Sequence, residues 1–144
     1  KSDLIDALLV SEGERLRRRL TRAYEQRDGV LPGVEDAFLA GLTFLVDHPV
    51  LTRGRDEEPA MLLERVAAHR GPLVEAALDW FADVIREGME TGEVRPVEPR
   101  WAAEVLVRLM LSWFAFPPMA IPVHDEAQAR VFAHVLIADG LAAR

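Results

Sequence analysis

The sequence predicts an all-α fold of about six helices in a single domain. Three observations carry that prediction. Apolar residues recur at three- and four-residue spacing along most of the chain, no segment alternates with the two-residue period of a strand, and Pro and Gly fall at the joins between periodic segments. A chain of 144 residues buries roughly two thirds of its extended surface on folding, enough for a core without a covalent or metal staple. No internal repeat or low-complexity tract interrupts it.

The first helix spans Ser2 to about Gln26, where Ile5, Leu9, Leu16, Leu20 and Tyr24 mark one face and Gly13 replaces the missing turn. Ser2 suits the N-cap, Asp3 and Asp6 suit the positive end of the helix dipole, and Asp28-Gly29 signals a turn. Gly13 points to a kink or a close helix crossing. A second helix is predicted from Pro32 or Gly33 to Asp47, with an apolar arc of Val34, Ala37, Phe38, Gly41, Leu42, Phe44 and Leu45 wide enough to be buried on more than one side. His48-Pro49 ends or bends it, and polar Leu51 to Glu58 reads as a loop with a short turn. Pro59 opens a short third helix through Met61, Leu62, Val66 and Ala67, closed by Gly71-Pro72.

The fourth helix, Pro72 to Thr91, is strongly amphipathic: Val74, Ala77, Leu78, Phe81, Val84, Ile85 and Gly88 form the stripe, and Gly92 is the expected C-cap. A turn with two prolines leads to the fifth helix, about Glu98 to Phe116. Between Trp101 and Phe116 only Glu104, Arg108 and Ser112 are polar, so this helix must be covered from several directions. After an apolar loop, Pro117 to Val123, the sixth helix runs from Asp125 to about Ala142. Val131, Val135, Ala138 and Ala142 form one of its faces, and Phe132, Leu136 and Ile137 widen it.

Composition excludes several functions. With 24 acidic and 17 basic residues the net charge is -7, which makes the chain itself a poor ligand for nucleic acid. The basic residues are sixteen Arg and one Lys, and Asn is absent, a pattern of GC-rich bacterial coding. The absence of Cys excludes a disulfide scaffold, a thiolate nucleophile and a zinc-cysteine site. His48, His69, His124 and His134 show no HxxxH or HExxH spacing, so no metal site and no cofactor are expected. None of the three serines sits in a GxSxG elbow, and the glycines form no phosphate loop. Asp56, Glu57 and Glu58 read as helix-N-terminal charges in preference to acid-base catalysts, and an enzyme is not expected. The run Arg15 to Leu20 is read as a solvated face paired with Glu12, Glu14 and Glu25, with a phosphate-binding patch as the alternative. The longest uncharged run, Leu109 to Val123, is 15 residues with three prolines. A bilayer needs about 20 residues, so no membrane span and no membrane partner are expected. The opening at Lys1, without Met or a leader, reads as a fragment.

At the junction of the fourth and fifth helices stands the string Glu90-Thr91-Gly92-Glu93-Val94-Arg95-Pro96, followed by Glu98-Pro99, then Ala102-Ala103 with Leu106. It resembles a pattern of the TetR family of bacterial repressors, in which a long helix ends in a glycine-acid-hydrophobe-Arg-Pro turn before a paired-alanine helix of the dimer interface. Lys1-Ser2-Asp3-Leu4-Ile5 resembles the family's entry to its fourth helix, and His48-Pro49 falls where such proteins often place that dipeptide. The family's N-terminal helix-turn-helix is missing from the chain. The resemblance therefore implies the effector-sensing and dimerisation domain of a cytoplasmic repressor that releases operator DNA when a small hydrophobic ligand binds. It implies a homodimer whose last two helices form a four-helix bundle, and Lys1 as a DNA-phosphate contact.

The aromatic and Met residues of the middle helices suit an adaptable apolar pocket, with few polar groups such as Thr43, Arg65, Arg108 and Ser112 to orient a ligand. Its expected wall is Phe38 and Leu42, Leu62 and Val66, Leu78 and Phe81, and Met110 and Trp113. Periodicity does not assign the faces of the fifth helix. The expected dimer contact comprises Ala102, Leu106, Leu109, Val131, Val135, Ala138 and Ala142. Two other readings stay open: a helical small-molecule carrier or enzyme with no DNA role, and a dimerisation module with a filled core.

Overall fold

The computed structural model describes residues 2–61, 64, 71–121 and 123–144, and these are helical with no strand among them. In chain order the helices are α1 (Ser2–Glu25), α2 (Val30–Asp47), α3 (Pro49–Glu57), α4 (Pro72–Thr91), α5 (Pro99–Ala115) and α6 (Glu126–Ala133). The same helix continues through a π-helical turn, His134–Ala138, and one last α-turn, Asp139–Leu141, and the label α6 covers it to its end. Residues 59–61 and 64 are also helical. Leu62, Arg65, Val66 and His69, which belong to the expected third helix, lie outside the described residues, as do Lys1 and Pro122.

The bundle is built around α2. This helix buries Val30, Val34, Ala37, Phe38, Leu42, Phe44 and Leu45, an arc too wide for one neighbour, and it packs against α1, α4, α5 and α6. Small residues set how closely the helices cross. Gly13 faces the backbone of Pro72, whose carbonyl oxygen would lie 3.0 Å from an added Cβ, so the first turn of α4 rests on the middle of α1. Ala129 and Ala133 are buried, with Ile137, on the side of α6 that meets α2.

Helix ends follow local chemistry where it is strong. Gly92 adopts φ 82° at the C-terminus of α4, the left-handed conformation that only Gly takes without strain. The Glu98 carboxylate accepts the Trp101 N–H at 2.8 Å and caps α5, and Asp125 does the same for Gln128 at the start of α6. Both ends of α4 match the sequence expectation.

Two boundaries differ from expectation. α2 begins at Val30, two to three residues early, because Glu93 supplies a distant cap: its Oε2 accepts the Val30 N–H at 2.8 Å. Leu51 to Glu58, expected as a loop, is mostly the helix α3. Pro49 fills its first turn, His48 Nδ1 accepts the Leu51 N–H at 3.3 Å, Leu51 is buried, and Arg53 bridges Glu57 at 2.8 Å. On α3, Arg55 also lies over the Phe114 ring, 5.5 Å from its centroid, and donates to the Phe114 carbonyl at 3.2 Å. The polar letters that suggested a loop are the solvent and tertiary faces of a short helix.

Candidate functional site

The turn that carries the glycine-acid-hydrophobe-Arg string has a structural job at each of those residues. Gly92 ends α4, Glu93 caps α2, and Val94 packs onto Gly88, where an added Cβ would meet its Cγ2 at 2.5 Å. Val94 and Ala142 form an isolated antiparallel bridge, with Arg95 N donating to Leu141 O and Ala143 N to Glu93 O, both at 2.9 Å. Arg95 Nε donates to Gly140 O at 2.8 Å. One turn thus ties the start of α2, the end of α4 and the last turn of the chain together.

The structure brings the described pocket candidates into one core between α2, α4 and α5. Phe38, Leu42, Phe81, Met110 and Trp113 are buried and Leu78 is half-buried. Trp113 meets Phe38 edge-on at 5.7 Å and Phe132 at 5.2 Å, joining α5 to α2 and α6. Trp80 stacks edge-on against Phe81 at 5.1 Å and donates its indole N–H to Thr21 at 2.9 Å. An apolar void of about 20 Å³ lies in this core, bordered by Leu16, Gly41, Leu45, Ala77, Val107 and Met110. Gly41 makes room for the Met110 thioether, whose sulfur would lie 2.8 Å from a Cβ there.

A far larger cleft, about 400 Å³, opens between α1, α2 and α6. Of the expected wall residues that the structure describes, only Leu42 reaches this cleft, and Thr43, expected to orient a ligand, lines it too. Its polar groups come from elements distant in sequence: Asp36 of α2 pairs with Arg130 of α6, and Thr43, Asp47, His124 and Glu126 stand around them. Arg27 reaches Asp36 at 3.7 Å from the other side. Hydrogen bonding to Glu126 and the charge of Asp36 hold the Arg130 guanidinium above its ordinary pKa. Sequence reasoning missed this cleft, since Asp36 and Arg130 are 94 positions apart and each reads alone as a surface charge.

A buried polar chain links α1 to the α2–α3 junction. His48 Nε2 lies 2.8 Å from Glu12 Oε2, and Arg15 donates to Glu12 Oε1 at 3.0 Å. Glu12 and His48 are the buried polar residues among those described. Because His48 Nδ1 accepts the Leu51 N–H, Nε2 carries the proton and donates to the carboxylate. Burial pushes the Glu12 carboxyl up, but the hydrogen bonds from His48 and Arg15, with the charge of Arg15, outweigh it and leave the pKa below the usual glutamate value. The arrangement couples two helices and one cap.

The expected dimer residues divide into three sets. Val131 and Val135 are 66% and 58% exposed, and on α5 Trp101 and Val105 are 75% and 56% exposed. Ala102, Leu109 and Ala142 are half-buried, while Leu106 and Ala138 are buried within the chain. Phe116 and Met119, which follow α5, are exposed as well. Among the described residues no cluster of His, Asp and Glu could hold a metal, and no helix is long and apolar enough to cross a membrane. No protein-family model and no curated protein matches the chain.

Proposed function

We propose that the chain is the effector-sensing and dimerisation domain of a TetR-like transcriptional regulator. The observation that carries this reading is the apolar surface of α5 and α6, where Trp101, Val105, Val131 and Val135 stand in solvent on the two helices that would form a four-helix bundle with their symmetry mates. Large apolar side chains exposed on neighbouring elements mark an interaction surface. A second copy covers it by an isologous contact, each patch meeting its own copy. The turn Gly92 to Arg95, which braces α2, α4 and the chain's last turn, adds support because it is where the sequence resembles the family.

In this reading the ligand is small and hydrophobic and enters the core between α2, α4 and α5, displacing the flexible Met110 side chain from Gly41. A ligand that prefers the conformer with badly spaced DNA-binding heads shifts the population by its differential affinity. A 100-fold change in operator affinity needs about 2.7 kcal/mol. One observation favours a second reading: the apolar void beside Gly41 and Met110 measures only about 20 Å³, which also suits a dimerisation module that senses nothing.

The test is a panel of apolar ligands against the dimer, read by Trp fluorescence and melting temperature. A ligand that binds only the native state raises the melting temperature and, in the intact regulator, weakens operator binding. A panel with no effect on either readout selects the non-sensing module, and a monomer at tens of micromolar overturns both readings.

A further inference from the structure

The outer face of α1 carries a row of guanidinium groups that the proposed regulation does not use. Arg15, Arg18, Arg19 and Arg22 stand at i, i+3, i+4 and i+7, one side of a helix with 3.6 residues per turn. With Gln26 they wall a groove of about 390 Å³, narrowed only by the small side chains of Ala23 and, from α2, Ala40. Arg15 is held by Glu12 at 3.0 Å. Among the described residues no carboxylate lies within 4.0 Å of Arg18, Arg19 or Arg22, and Glu14 and Glu25 on the same helix take no arginine partner. The paired, solvated face expected from sequence is therefore paired at one arginine of four.

Like charges at these spacings repel one another, yet the row persists in a chain where acidic residues outnumber basic ones by 24 to 17. We propose that this groove binds a compact phosphate-bearing anion. Guanidinium forks match phosphate oxygens two at a time, and four of them line one groove here. Duplex DNA fits less well. The groove shares Ala23, Gln26 and Ala40 with the neighbouring cleft, which brings in Asp36, Asp47 and Glu126, and a long polyanion laid along α1 would meet those carboxylates. A short anion stops before them. The inference does not rest on the regulator reading.

Calorimetric titration of the whole chain with inorganic tripolyphosphate, at constant ionic strength, tests it. The expected result is one site per chain with a micromolar dissociation constant, weakened at least about tenfold in Arg18→Gln/Arg22→Gln. Arg17→Gln, outside the groove, leaves binding unchanged, and the Arg18→Lys/Arg22→Lys variant falls between, since it keeps the charge and loses the fork. Circular dichroism checks that each variant stays helical. A nucleoside triphosphate that binds as tripolyphosphate does assigns recognition to the phosphates, and tighter binding assigns it to a nucleotide. Three results overturn the proposal: sodium chloride reproducing the effect, the double Gln variant binding within about twofold of the parent, or duplex DNA binding more tightly than tripolyphosphate through the same arginines.

Discussion

α1 turns a row of arginines toward solvent, whereas α5 and α6 turn out Trp101, Val105, Val131 and Val135. Water solvates the first face well, and what it leaves unbalanced is charge. The second face is disfavoured by water itself, since apolar area removed from solvent stabilises by roughly 25 cal/mol per Å². The two faces therefore answer to different conditions. Anion binding at α1 weakens with salt, as exposed charge interactions do within a Debye length of about 10 Å at 0.1 M. The proposed association through α5 and α6 is expected to depend little on salt and strongly on shape and polarity at its centre.

The largest expected effect breaks the apolar face. Val135→Asp places a carboxylate in the middle of the α6 patch and is expected to cost about 3 kcal/mol or more of association energy, over 100-fold in dissociation constant. Sedimentation should show a monomer, while Arg17→Asp leaves the dimer intact. A Val135→Asp protein that still sediments as a dimer would place the contact elsewhere.

A smaller effect sharpens the charged face. Glu12→Gln removes the one carboxylate that holds an arginine of the row and half of the buried pair with His48. It is expected to lower folding stability by about 1 to 3 kcal/mol in chemical denaturation. The same change leaves Arg15 uncompensated, so tripolyphosphate affinity should rise by about twofold to fivefold. The signs are opposite, which separates the fold's use of Glu12 from the groove's.

The pH dependence follows from the same group. Its folded pKa lies below the ordinary glutamate value, so the unfolded chain binds the proton more readily. The contribution of Glu12 is complete above the unfolded pKa and is lost as pH falls through the folded one. Denaturation between roughly pH 3 and pH 6 should show a steeper loss toward acid in the parent than in Glu12→Gln. Equal slopes would remove Glu12 from the account. The smallest effect is at Arg100, which bridges Asp79 at 2.7 Å and Glu75 at 3.3 Å on the surface. Arg100→Ala should leave both the melting temperature and the sedimentation unchanged, since exposed ion pairs contribute little.

Much of the fold was legible because its signals act within one or two helical turns. The stripe of α4 repeats every three or four residues, the left-handed Gly92 ends that helix, and α5 and α6 start at Glu98 and Asp125 as expected, where each carboxylate accepts an N–H three positions on. The α3 helix was hidden because its cap is a histidine side chain and its Arg55 finds its partner in Phe114, on α5. The site was legible in part. Phe38, Phe81, Met110 and Trp113 meet in one core as their stripes imply, but the stripes do not say whether that core is open. On α6 the apolar residues cover more than one side, so periodicity could not tell which would be buried.

By itself the sequence determined an all-helical chain, the ends of α4, the near extent of α5, and the separation of an arginine-rich helix from apolar ones. Periodicity and caps are local, and their energies do not depend on what lies across the bundle. Only the tertiary structure decided that Glu93 starts α2, that Asp36 meets Arg130, that Ala129 and Ala133 face inward while Val131 and Val135 face out, and that three of the four arginines in the row find no carboxylate among the described residues. Each of these depends on which helix lies beside which, and that is set by packing of the whole chain at once.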